Sequence, residues 1–156
     1  MRLHEYEAAK VFEAAGIKVP KHRVVQTPQE ALDAAEEIGY PVMLKAQVLV
    51  GGRGLAGGIK IASDASELKE LAGKMTGSEI RGVPVDKIMI SEKANISSEL
   101  YVAVTVDGYS GKPVVIASTE GGVNIEENAR KRHIICPLNL QGLCVIPIRY
   151  QKRCSP

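Results

Sequence analysis

The sequence predicts an α+β protein in which α and β elements are mixed and antiparallel hairpins are prominent. Three observations carry this. Apolar residues recur at helical spacing in three stretches near the N-terminus, each followed by a glycine. Short apolar runs of strand length lie between and after these helices. Two pairs of those runs are joined by glycine-containing connections, as hairpins are. This is not the pattern of a plain doubly wound sheet.

Leu3 to Ala15 reads as the first helix, with Ala8, Val11, Phe12 and Ala15 on one face and Gly16 placed to stop it before Pro20. Val24-Val25 is a short strand. Thr27-Pro28-Gln29-Glu30 is a full helix start, with a cap, a proline at the first position and a glutamate at the third. Ala31, Leu32, Ala35 and Ile38 form the buried stripe of that second helix, and Gly39 ends it. Val42-Met43-Leu44-Lys45-Ala46 is then a strand leading into glycine-rich sequence. After a second strand, Gly58 to Ser63, Asp64-Ala65-Ser66-Glu67 starts a third helix with Leu68, Leu71, Ala72 and Met75 inward and Gly77 at its end. Val85 to Ile90 is predicted as a buried strand. Leu100, Val102, Val104 and Val106 alternate with Glu99, Tyr101, Ala103 and Thr105 as a half-buried strand would, and the turn 107–111 pairs it with Val114 to Ala117.

The connection between the strands at 42–46 and 58–63 holds the strongest functional signal. Five glycines fall between Gly51 and Gly58, with Arg53 among them and Lys45 inside the apolar strand before them. Glycine lets backbone take positive φ and approach a ligand closely, and a guanidinium grips phosphate oxygens with two parallel hydrogen bonds. A nucleotide-phosphate cradle is one reading; a solvated hairpin turn is the other. Gly52-Arg53-Gly54-Leu55-Ala56-Gly57 also fits the dinucleotide-binding fingerprint, but that motif needs a helix after it, and a strand follows. Leu55 stands where the Walker pattern needs a lysine. Strand, glycine loop, strand is the pattern of a flap over phosphates.

Other residues narrow the function by exclusion. His4, His22 and His133 have no carboxylate or cysteine at metal-ligand spacing, and neither a zinc-protease helix nor a Gly-x-Ser-x-Gly elbow occurs. Arg130-Lys131-Arg132 reads as a surface charge cluster rather than a nucleic-acid contact, since aromatics are only 4% of the chain and supply no stacking platform. No apolar run reaches the roughly 18 residues of a membrane span, and no signal-peptide core precedes the first helix, so a cytoplasmic location is expected. Lys45 either aims its ammonium into a cleft or snorkels to the sheet rim. Glu99 either accepts hydrogen bonds from ribose hydroxyls or is a solvent-facing charge. Ser118 and Thr119, in a polar turn before Ile125-Glu126-Glu127, either face a ligand or cap a helix.

The last segment differs from the rest. All 18 acidic residues lie at or before Glu127 while six of the 20 Lys and Arg follow it, which leaves residues 1–128 at −4 within a chain of net charge +2. Cys136, Cys144 and Cys154 all fall there, at spacings that match no common zinc site. Two regions are expected: 1–133, and an atypical tail, 134–156.

Leu3-His4-Glu5-Tyr6-Glu7-Ala8, Lys45-Ala46-Gln47-Val48, Gly51-Gly52-Arg53-Gly54, Ala56-Gly57-Gly58-Ile59-Lys60 and Ala117-Ser118-Thr119-Glu120-Gly121-Gly122-Val123 together resemble the start of the ADP-forming succinate–CoA ligase β subunit family. The resemblance runs over about the first 130 residues and implies an ATP-grasp fold, with the second subdomain incomplete. It implies ATP/ADP binding with Lys45 at the phosphates, Gly52, Arg53 and Gly54 as the loop over them, and Glu99 on the ribose side. Ser91, Glu92 and Ala94 occupy the hinge; the family's glutamate directly after the apolar strand is replaced here by Ser91 and then Glu92, which leaves base contacts and nucleotide preference open. The family's Mg2+ ligands belong to sequence beyond this chain. The implied partner is a succinate–CoA ligase α subunit carrying a phosphohistidine, with succinate and coenzyme A reached through the complete enzyme. A malate–CoA ligase relative and a non-catalytic nucleotide-binding fragment are the alternatives. The pattern fades after His133, as expected of a truncated or frameshifted gene, and negligible synthetase activity is expected of the isolated chain.

Overall fold

The structure, a computed structural model, describes residues 2–106, 108–109 and 111–118 and the backbone of one further strand, Ile134–Pro137. It divides into two compact units, Met1–Asn95 and Ile96–Pro156.

In the first unit, helices α1 (Glu5–Ala14), α2 (Pro28–Ile38) and α3 (Ala65–Met75) alternate with strands β1 (His22–Val25), β2 (Val42–Ala46) and β3 (Ile59–Ala62), before β4 (Glu79–Ile80), β5 (Val83–Pro84) and β6 (Ile88–Glu92). Four strands form one antiparallel sheet in the order β1-β6-β2-β3, and β4 and β5 make a separate small hairpin. Period-two alternation sorts the side chains. Val25, Val42, Leu44, Ala46, Ala62, Ile88 and Ile90 point to one face and pack against Ala31, Ala34 and Ala35 of α2 and Leu68, Ala72 and Met75 of α3. The small alanines of α2 let it lie close to the sheet. Both helices start as predicted: the Thr27 hydroxyl accepts from Glu30 N at 3.2 Å and the Asp64 carboxylate accepts from Glu67 N at 2.9 Å.

Two first-unit expectations are corrected. The strand read at Val85 to Ile90 lies at Ile88–Glu92, because Val83-Pro84 closes the small hairpin and Val85, although buried, bonds through its N–H to Ser78 O. The apolar face assigned to α1 is not buried: Val11 and Phe12 are 57% and 50% exposed, and only Ala9 is enclosed. This helix is held instead by polar contacts of its first turn, described below.

The second unit holds an antiparallel sheet of β7 (Tyr101–Val106), β8 (Pro113–Ser118) and β9 (Ile134–Pro137), with β8 in the middle. The predicted hairpin is present, with Thr105 opposite Val114 and Val106 opposite Pro113. Val102, Val104 and Val106 are between 63% and 67% exposed, whereas Tyr101 and Ala103 are half-buried. β9 was not predicted; it lies past residue 133 and pairs with β8. Thr119 to Val123, the helical reading of Ile125 to Glu127, Arg130 to Arg132, His133 and all three cysteine side chains lie outside the described residues, as do Asp107 and Ser110 of the predicted turn.

Candidate functional site

The second face of the first-unit sheet carries the candidate site. Residues 43 and 45 of β2 and 89 and 91 of β6 alternate away from the helical core, and Lys45 lies opposite Met89 across the β2–β6 ladder. β2 then leaves the sheet. Gln47 N donates to Lys87 O, and the chain turns through residues 51–57 before β3 returns beside β2.

Three internal bonds close the loop: Ala56 N to Gly52 O at 3.2 Å, Gly57 N to Gly54 O at 3.2 Å and Gly58 N to Arg53 O at 2.8 Å. Gly52 and Gly57 hold positive φ, +67° and +80°, which glycine adopts without steric cost. Gly58 is required for a different reason, close packing: a Cβ there would stand 2.5 Å from Ile80 Cδ1. The amides of Gly52, Arg53 and Gly54 donate to no backbone carbonyl among the described residues. They are the donors a bound anion can take.

Both cations meet one carboxylate. Lys45 Nζ donates to Glu5 Oε1 at 2.8 Å, and the Arg53 guanidinium pairs with Glu5 Oε2 while its Nη1 donates to Ala46 O at 3.1 Å. The Lys45 and Arg53 side chains are each 19% exposed and that of Glu5 31%. Burial lowers the pKa of the Lys45 ammonium and of the Arg53 guanidinium from their ordinary values, because the charged forms lose solvation. The two cations thus converge on one anionic group, the kind of arrangement that anion oxygens can occupy.

Helix α1 is fastened here by its N-terminal end. Tyr6 N donates to Gln47 Oε1 at 3.3 Å, Gln47 Nε2 donates to Lys45 O at 2.9 Å, and Lys87 Nζ lies over the Tyr6 ring and donates to its hydroxyl. His4 N donates to Glu7 Oε2 at 2.7 Å as Glu7 N donates to His4 O, a reciprocal cap that holds the Glu7 carboxyl below its ordinary value. Beneath the helix, Glu5, Ala9, Phe12, Lys45, Met89 and Ser91 contribute to a largely apolar pocket of about 180 Å³.

Of the residues singled out by sequence, Lys45, Gly52, Arg53 and Gly54 are brought together. Ser91 sits inside β6, 1% exposed, its hydroxyl without a hydrogen-bond partner among the described residues; Glu92 closes that strand, half-buried, and Ala94 is exposed beyond it. Glu99 belongs to the second unit, exposed and two residues before β7. Sequence reasoning missed Glu5 and Gln47. Glu5 at the first helical position reads as an ordinary charge favoured by the helix dipole. Gln47 lies just past the end of β2, and its burial, 4% exposed, is visible only in the structure.

Comparison with known proteins identifies the family of the fold. The ATP-grasp domain family matches residues 2–139. Succinate–CoA ligase (ADP-forming) subunit beta of Natronomonas pharaonis is 50% identical over 131 residues, and that of Halorubrum lacusprofundi 52% identical over 131; each match covers 84% of this chain and 34% of the relative. The chain thus spans about a third of the length of these relatives. Among solved structures, dinucleotide-forming acetyl-coenzyme A synthetase 1 of Ca. Korarchaeum cryptofilum, in complex with coenzyme A, Ca-AMPCP and HgCl+, superposes with a TM-score of 0.72 at 25% identity, covering 86% of this chain and 59% of that one.

Proposed function

The chain belongs to the ATP-grasp family, and from that premise we propose that it is the nucleotide-binding part of an ADP-forming succinate–CoA ligase β subunit. The observation that carries the proposal is the convergence of Lys45 and Arg53, both four-fifths buried, on one carboxylate, with the adjoining amides of Gly52, Arg53 and Gly54 bonded to no backbone carbonyl among the described residues. Phosphoryl transfer needs positioning and charge neutralisation more than covalent chemistry from the protein, and these groups supply both.

In this reading Lys45 contacts the phosphates of ATP or ADP and the loop Gly52-Arg53-Gly54 covers them. Ser91, Glu92 and Ala94 serve the base, and Glu99 serves the ribose. Lys45 and Arg53 supply charge neutralisation from this part of the chain. The reaction would be the reversible conversion of succinyl-CoA, ADP and phosphate to succinate, CoA and ATP in the cytoplasm, with the phosphoryl group carried on a histidine of a partner α subunit.

Calorimetric titration of MgADP into the 156-residue chain and into Arg53→Ala tests the proposal. Saturable binding that weakens about tenfold or more in Arg53→Ala is expected, since a charge-assisted bidentate contact contributes roughly 1.5–3 kcal/mol. Equal binding by both proteins would contradict it.

A further inference from the structure

Lys45 of β2 and Arg53 of the loop already share an anion that comes from this chain. Glu5 lies in the first turn of α1, and each of its carboxylate oxygens pairs with one of them, Oε1 with Lys45 and Oε2 with Arg53. A phosphate chain recognised by the same ammonium and guanidinium must either take those donors or stand beside a carboxylate, and in a half-buried setting like-charge proximity is costly. The element that carries Glu5 is also the least embedded helix of the first unit. Ala9 is its only buried residue, whereas α2 and α3 each bury three.

We propose that Glu5 is an internal counter-anion of the phosphate loop, so that a polyphosphate displaces it and loosens the first turn of α1. The inference rests on the nucleotide-phosphate reading above and assigns Glu5 a role that reading does not contain. Glu5 positions rather than reacts: it keeps two desolvated cations neutralised and in place, and it sets how much binding energy an incoming phosphate chain retains. Removing its charge leaves two partly buried cations without their partner, which lowers stability, and leaves them open to an external anion, which raises affinity. The opposed signs separate this role from a purely structural one, for which stability and affinity fall together.

The test uses the full chain, with inorganic tripolyphosphate and MgADP as probes. Calorimetry and thermal melts compare wild type with Glu5→Gln, and hydrogen exchange follows the Tyr6 amide, whose N–H is bonded to Gln47 Oε1. Expected results are a lower melting midpoint for Glu5→Gln, tripolyphosphate binding about tenfold tighter, and faster Tyr6 exchange in wild type once either probe is bound. Unchanged or weaker binding by a folded Glu5→Gln would overturn the proposal. Should that variant fail to fold, wild-type exchange decides alone: slower or unchanged Tyr6 exchange on binding overturns it. If wild type binds tripolyphosphate and Arg53→Ala binds it equally well, the underlying phosphate reading fails, and this inference fails with it.

Discussion

Gly58 and Gly51 occupy opposite extremes of the same loop. A methyl group at Gly58 would meet Ile80 Cδ1 at 2.5 Å, Arg53 O at 3.1 Å and Ala46 Cβ at 3.5 Å, two of them fixed by the sheet and the loop backbone. At Gly51 nothing lies within 4 Å. Gly58→Ala is therefore expected to destabilise the protein by about 1–3 kcal/mol, as overpacking does, and Gly51→Ala by less than about 0.5 kcal/mol, as at open surface sites. Urea unfolding of the two variants measures the difference. Equal stabilities would mean that the loop does not pack on the β4–β5 hairpin as described. At this scale the cationic half of the site was legible, because Lys45 interrupts an apolar strand and Arg53 interrupts a glycine run. Its anionic half was not, since Glu5 lies 40 residues from Lys45 and only tertiary structure brings them together.

Helices α2 and α3 were readable from their caps and stripes because local signals and tertiary packing agree in them. Thr27 and Asp64 each satisfy a first-turn amide, a contribution of about 1 kcal/mol, and the apolar faces that follow meet the sheet. The first helix breaks that agreement. Its apolar positions mark a helix, yet the contacts that fix it are Glu5, Tyr6 and the His4–Glu7 cap. The cap makes α1 sensitive to acid. Glu7 has a depressed folded pKa, caused first by the hydrogen bond from His4 N. The stabilisation is therefore present above the ordinary value of 4.5 and is lost as pH falls through the lower folded value. Hydrogen-exchange protection of the α1 amides should fall on acidification below about pH 4.5, and it should fall less in Glu7→Gln, whose amide oxygen accepts from His4 N but does not titrate. Acid-independent protection in wild type would show that the cap does not hold this helix. For β7, alternation establishes that a strand has two faces but not which of them is covered, and here Tyr101 and Ala103 are half-buried while Val102, Val104 and Val106 are exposed.

The two units differ in how far they enclose their own apolar surface. The first has a continuous core between one sheet face and two helices, from Val25 through Leu44 and Ile90 to Leu68. The second exposes the β7 stripe together with Ile96 and Leu100, which are 65% and 69% accessible. An apolar strip of that kind favours association. The matches cover about a third of the succinate–CoA ligase β subunits, and the phosphate-loop proposal concerns a part whose own core lies within residues 1–95. The central claim is that the glycine loop receives nucleotide phosphates. Amide chemical shifts recorded while MgADP is titrated into the full chain test it most directly. The account predicts saturable shifts that are largest at Gly52, Arg53 and Gly54 and small in α2 and α3. Saturable binding whose shifts leave these three amides unmoved would contradict it.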